Sequence, residues 1–322
     1  MSKPTQGNLA VDTTTDSASP EPSSQRAKSA RQRFAEREHV HELRWDNLDW
    51  TTVIGISVMH LLCIPAIWFF SWSGLLLMIV LWWISGGLGV CLGFHRLFTH
   101  RSFHTPRVVE CTLAIFGSLA WQGSPIRWVG VHRLHHAESD QEADPHSPQH
   151  GFTWAHMLWC MVRDHDGNDP AEFAKDLQRD PFLRWLDRWF VLPQIVLAML
   201  LFGSGWLLTG TWVAGVSWVL WGTAVRVVFT YHMTWFVNSA AHTWGYRNFD
   251  TTDNSRNTWW VALLSFGEGW HNNHHAQQRS AAHGMKWWEI DPTWLTILVM
   301  EKVGLATRVV RPKLDDTHTS GS

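Results

Sequence analysis

The sequence predicts an all-α integral membrane protein: four transmembrane helices in two hairpins, with the rest of the chain folded as a helical cap on one side of the bilayer. Three observations predict it. Four long apolar runs occur as two pairs. The 322 residues include 24 Trp against 2 Tyr, with 45% hydrophobic and 17% charged residues, a composition that suits contact with a bilayer interface. Clusters of histidine fall outside the four runs. The formal net charge of -2 supplies no basic field of the kind that binds nucleic acid.

Residues 1 to about 30 are rich in Ser, Thr, Pro and Gln and hold no aromatic residue, so they cannot bury enough surface to offset ordering entropy. Disorder is expected there, and no basic start leads into an apolar core as in a secretory signal. From Arg26 to Arg44 the chain is highly charged, as in a solvated or interfacial helix. The expected organisation is a disordered and charged region over 1–45, a membrane domain over 46–312 and a flexible tail over 313–322.

Thr51 to Phe70 carries no charged residue, and after Ser71-Trp72-Ser73-Gly74 a second uncharged run reaches Phe94. Each has the roughly 20 residues that a bilayer-spanning helix requires. A second pair, Trp189 to Leu208 and Trp212 to about Phe236, is joined by Thr209-Gly210-Thr211. Neither short connection contains Lys or Arg, whereas the flanking and middle segments are rich in Arg, which puts both termini and the middle segment in the cytoplasm. Val108 to Ser124 is also apolar, but it is short and carries Glu110, and a span there would separate the first two histidine clusters. It is expected to be interfacial or buried against the cap. No strand alternation and no repeat of fixed period is present. Cys63, Cys91, Cys111 and Cys160 are widely spaced, which suits packing thiols.

In Trp128-Val-Gly-Val-His132-Arg-Leu-His135-His136 the histidines fall at i, i+3 and i+4, on one face of a helix. The pattern returns at His271-Asn-Asn-His274-His275, and a looser pair occupies His95-Arg-Leu-Phe-Thr-His100. One such box is weak evidence; three carry far more weight. Neutral imidazole suits iron, zinc and copper, and eight box histidines exceed what one ion can use, so two ions are implied. A ninth candidate is His242, which shares a helix face with Asn238. The i, i+5 spacing of His95 and His100 does not fit a straight helix and points to a helix end or local bulge. His39, His41, His60, His104, His146, His150, His156, His165, His232, His283 and His318 lack box spacing and are expected to be hydrogen-bonded or exposed; His232 alone lies where it can support the site.

His95-xxxx-His100, His132-xx-His135-His136, Asn238-Ser-Ala-Ala-His242 and Gly267-Glu-Gly-Trp-His271-Asn-Asn-His274-His275, with Ala143-Asp-Pro-His146, together resemble the membrane-bound stearoyl-type Δ9 fatty acid desaturases over about residues 50 to 300. Gln122-Gly-Ser-Pro-Ile126 and Trp128-Val-Gly-Val-His132 are similar to the bacterial, cyanobacterial and plant branch. The resemblance implies a di-iron centre on His95, His100, His132, His135, His136, His242, His271, His274 and His275, with Asn238 reaching an iron through water. It implies that O2 and two electrons remove two hydrogens from a saturated C16–C18 chain, leaving a cis C9–C10 bond. The electrons are expected from a separate ferredoxin or cytochrome b5. Glu268 suits a partner for an imidazole N–H, since such partners orient metal-bound His.

Trp128 lies one helical turn before His132, and Trp235 lies seven residues before His242, so both face the metal site if these stretches are helical. Interface anchoring is the plainer alternative for two tryptophans among 24. By resemblance, Trp128, Thr234 and Trp235 shape the kink of an acyl tunnel. Val131 stands where animal acyl-CoA enzymes have an acidic residue, which favours an acyl group on a membrane lipid over acyl-CoA. The rival readings are a histidine-box alkane or acyl hydroxylase, a metal transporter and a b-type haem protein.

Overall fold

The computed structural model describes residues 41–163 and 170–313. The expectations for residues 1–40 and 314–322, and for His39, His165 and His318, lie outside the described residues. Within them the chain is mostly helical, and its few bridges are isolated pairs rather than strands. The helices are α1 (Trp50–Ala66), α2 (Trp72–Thr99), α3 (Arg107–Ser118), α4 (Pro125–Glu138), α5 (Phe152–His156), α6 (Pro181–Arg188), α7 (Leu192–Thr209), α8 (Trp212–His242), α9 (Trp259–Leu264), α10 (His271–Ala276) and α11 (Pro292–Lys302).

Three of these, α2, α7 and α8, are long and apolar enough to cross a membrane. Helix α1 has 17 residues, with Pro65 in its last turn, and ends four residues before Phe70, the expected end of the run. Asp49 caps its start, accepting from the N–H groups of Thr51 and Thr52. The α1–α2 and α7–α8 turns meet at one end of the helix set: the rings of Phe69 and Trp212 stand 6.4 Å apart, and Ser71 Oγ lies 2.7 Å from Ser217 Oγ. Helices α7 and α8 pack closely because both carry glycine at the contact; a Cβ on Gly205 would come within 2.8 Å of the Gly215 Cα.

Helix α2 changes character part-way. Its first turns are α-helical and begin on the Ser71 side chain, but Trp83–Thr99 is a π-helix that ends in a bond from the His100 N–H to the His95 carbonyl, 3.1 Å. A π-helix pairs residues i and i+5, which is the spacing that excludes His95 and His100 from one face of an α-helix. Gly89 lets α3 settle directly on this segment, since a Cβ there would lie 2.3 Å from the Gly117 N. Over the apolar Val108–Ser124 stretch the helix is 12 residues, Arg107–Ser118, with Leu113, Ala114, Gly117 and Ser118 buried; it is about 18 Å long and too short to cross a bilayer alone.

Arg226 is fully buried in α8 and has no carboxylate partner among the described residues. Instead its guanidinium donates to the Gly222 and Leu119 carbonyls, Ser85 Oγ and Gln194 Oε1 at 2.7–2.8 Å. A buried cation is tolerated only when its donors are met, so this network pins α2, α3 and α7 to α8 at one level. The four cysteines are unpaired thiols, buried or half-buried, as expected of packing residues. The main apolar core runs through Leu92, Phe94, Leu113, Ile126, Val129 and Leu183, joining the end of α2 to α3, α4 and α6.

Candidate metal centre

The first box lies at the end of α2, and the other two are delivered by short helices. Helix α4 begins at Ser124, whose hydroxyl accepts from the Arg127 N–H, with Pro125 in the first turn. From there His132, His135 and His136 follow on one face. Helix α10 brings His271, His274 and His275, all buried, and α8 tightens into a 3₁₀ turn that ends on buried His242.

All nine expected histidines come together, and they divide. His95, His100, His132, His136 and His274 gather one ligand nitrogen each within 4.8 Å, and His135, His242, His271 and His275 form a second such group. The box on α4 therefore splits: His132 and His136 serve one group, while His135 serves the other. Asn238 lies half-buried one turn before His242 on α8.

The Nε2 atoms point inward. His274 Nε2 is 3.1 Å from that of His95 and 2.9 Å from that of His136, which is 3.1 Å from that of His132. In the second group, His242 and His271 stand 3.0 Å apart, and His135 and His275 stand 3.3 Å apart. Nitrogens bound at ~2.1 Å to a common ion stand about 3.0–3.4 Å apart, so these separations fit ligands around a metal.

Four of the nine outward Nδ1 atoms meet carboxylates. His135 Nδ1 is 3.0 Å from Asp144, His242 Nδ1 3.0 Å from Asp140 and His275 Nδ1 2.7 Å from Asp253. Glu268 lies 2.7 Å from His95 Nδ1 and 3.0 Å from His283 Nδ1, and its other oxygen accepts from Arg96. A carboxylate facing Nδ1 fixes the proton there and leaves Nε2 as a bare lone pair. Expected only for Glu268, this arrangement recurs at Asp140, Asp144 and Asp253. Sequence reasoning misses those three because each is far in sequence from its imidazole or hidden in a loop; Asp144, in Ala143-Asp-Pro-His146, is the only one with a local signal.

The protonation states agree with a ligand set. Burial, and then the charges of His95 and His100, hold His132 well below its ordinary pKa. Burial pushes His275 down to about 4 against the opposing hydrogen bond of Asp253. For His135 burial acts the same way, but the charge and hydrogen bond of Asp144 outweigh it and the net shift is upward. Burial would raise Asp144, yet His135 and His146 hold it below the carboxylate range. Ionised carboxylates thus surround mainly neutral imidazoles.

Two further histidines join the periphery: His283 through Glu268, and His146, whose ring centroid lies 4.4 Å from that of His135. His232 sits elsewhere, in a chain with His60 Nε2 at 3.2 Å and His156 Nε2 at 3.0 Å.

The residues expected to wall a tunnel also converge. Trp128 stacks on His132 with centroids 5.1 Å apart and donates to Gln122 Oε1, and Gln122 Nε2 donates to Thr234 Oγ1 at 2.8 Å. Trp235 is buried beside Tyr231, which donates to the Trp121 carbonyl. Gln122 is the bridge that spacing does not reveal, since its partners lie on two separate helices.

A helical chain with apolar helices of membrane-crossing length and a bipartite, carboxylate-backed histidine cluster has the features of a membrane metalloprotein. The chain belongs to the fatty acid desaturase family, whose model matches residues 65–299. It is 46% identical over 288 residues to an sn-2 palmitoyl-lipid 9-desaturase of Nostoc sp. (strain 36), covering 88% of this chain and 96% of the relative. It is 50% identical over 240 residues to an sn-1 stearoyl-lipid 9-desaturase of Anabaena variabilis, covering 74% and 85%. An acyl-CoA 5-desaturase of Anemone leveillei is 40% identical over 270 residues, covering 83% and 81%.

Proposed function

We propose that this desaturase uses O2 and two supplied electrons to remove one hydrogen each from C9 and C10 of a saturated C16–C18 acyl chain, leaving a cis double bond. The names of the cyanobacterial relatives support the position and the chain length. Acyl groups on membrane lipids are the preferred substrates, with acyl-CoA as the second choice: Val131 leaves no acid before His132, and the two cyanobacterial relatives described above are acyl-lipid enzymes.

The observation that carries the metal reading is the His135–His275 pair. Both turn Nδ1 to an aspartate, and their Nε2 atoms nevertheless face each other at 3.3 Å. A common ion bound to both nitrogens holds two imidazoles at such a separation. We assign one iron to His95, His100, His132, His136 and His274, and the other to His135, His242, His271 and His275, with Asn238 through water. Iron with O2 supplies the oxidising power that an unactivated C–H bond demands, which zinc does not. Around it the chain's own work is positional: Asp140, Asp144, Asp253 and Glu268 fix the rings, and Trp128, Gln122, Thr234 and Trp235 bend the acyl chain so that one pair of methylenes meets the centre.

The membrane domain spans 46–312 and crosses the bilayer four times, with α1 joining α2, α7 and α8. The exposed Ile54, Leu61 and Ile64 on α1 support a lipid-facing helix. The shared end of the two turns supports two hairpins with the histidines and both termini on the cytoplasmic side. An acyl chain enters an apolar tunnel from the bilayer more readily than it crosses water. Electrons come from a separate ferredoxin or cytochrome b5.

Expression in a host with its own electron donors, followed by gas chromatography of total fatty acids, tests the reading. New cis-Δ9 C16 or C18 acids support it. A hydroxylated product, or no new acid from correctly inserted protein, contradicts it.

A further inference from the structure

We propose that the open cleft lined by Thr99, His100, Arg101, Arg133, His136 and Arg279 is the docking surface for an acidic one-electron carrier protein, and that electrons enter the five-histidine group at its His100 and His136 edge. The inference rests on the desaturase reading above. Conversion of –CH2–CH2– with O2, two electrons and two protons yields –CH=CH– and two waters. Two reduced carriers are oxidised in the process, and the carrier must come close to the ligand rings.

The cleft is where those rings come nearest to solvent. It encloses about 500 Å3. Seven of the nine histidines are buried, and only His132 and His136 are half-buried. His132 is covered by Trp128 on the tunnel side, whereas His136 lines the cleft together with His100.

The charge of the cleft selects the partner. Three arginines line it against one carboxylate, Asp176, and that carboxylate is already bridged by both Arg101 and Arg133. Arg279 is exposed and has no carboxylate partner among the described residues. The segment 307–313 runs close by: the Val310 N–H donates to the Ser102 carbonyl and the Lys313 N–H to Gln277 Oε1, which sets exposed Lys313 against Gln277, the neighbour in sequence of Gln278 and Arg279. A chain of net charge -2 thus concentrates positive charge around two candidate ligands. An acyl chain does not suit this lining, whose only purely apolar side chain is Ala137. Complementary charge steers encounter and acts mainly on the association rate, so the effect is expected to depend on salt.

The test uses the iron-loaded full-length protein in nanodiscs with a reduced plant-type ferredoxin as the acidic carrier. Arg279→Glu combined with Lys313→Glu changes two exposed side chains outside the metal and tunnel residues. At low ionic strength the expected result is a rise of about tenfold in both the ferredoxin Kd, from direct binding, and the ferredoxin KM. Iron content, kcat at saturating ferredoxin and KM for the acyl substrate stay unchanged, and added salt narrows the gap. An unchanged ferredoxin Kd overturns the proposal. So does a raised KM for the acyl substrate with ferredoxin binding intact, which would make the cleft a substrate-headgroup site. Wild-type protein that binds ferredoxin yet forms no unsaturated product defeats the desaturase reading instead, and the Kd comparison still decides the docking surface.

Discussion

His135 and His275 come from widely separated parts of the sequence, and their Nε2 atoms stand 3.3 Å apart while Asp144 and Asp253 hold the other nitrogen of each ring. The aspartates set the direction in which each lone pair points, so they act on the metal without touching it. Asp253→Asn keeps the shape but weakens the hold on the His275 N–H. Metal affinity at the four-histidine site is expected to fall about 10- to 100-fold, as for other partners of metal-bound histidine. Iron per chain after a chelator challenge should drop towards one, with the five-histidine site retained. An unchanged iron content would remove the role given to Asp253.

Gln122 ties Trp128 to Thr234 across two helices. Gln122→Ala removes these two hydrogen bonds and a longer one to the Thr230 carbonyl, each worth about 1 kcal/mol, and would free the proposed tunnel wall. The expected product is a mixture of double-bond positions at reduced rate, with iron content unchanged. Trp235→Ala should act in the same direction by opening the bend. Wild-type rate with a single C9–C10 product in either variant would refute the tunnel assignment.

The close approach of α2 and α3 makes another prediction. Gly89→Ala drives a methyl group into the Gly117 backbone, whereas a methyl group on Gly203 of α7 would meet nothing within 4 Å. Overpacking of this kind costs about 1–3 kcal/mol, while alanine at an open helical site is neutral or favourable. Thermal unfolding in detergent should show a clear loss for Gly89→Ala and none for Gly203→Ala. Equal stabilities would mean that α3 gives way without cost.

Reporter fusions after residues 73, 150, 210 and 300 should read outside, inside, outside, inside. An external signal at 150 would contradict placement of the α3–α4 region on the cytoplasmic side.

How much of this is legible in the sequence depends on whether a feature is local. The i, i+3, i+4 histidines of α4 and α10 are visible because helical periodicity is local. The His95–His100 spacing announces a departure from the α-helix, but only the structure identifies it as π-helix, because a helix end and a bulge fit the same spacing. The uncharged run overstates the length of α1, since absence of charge does not mark where a helix ends. The division of nine histidines into five and four is not legible, nor are Asp140 and Asp253. Both depend on the angle at which α8, α10 and the loops meet α4, and spacing along one element carries no information about that angle.

A two-iron centre held by two groups of histidine is tested by the metal content of protein that turns over. We expect mass spectrometry of the purified enzyme to count two irons per chain in preparations that form the cis double bond, and we expect His132→Ala and His271→Ala each to lose iron and abolish product. Full turnover with one iron or fewer per chain, or in either alanine variant, would rule out a two-iron centre.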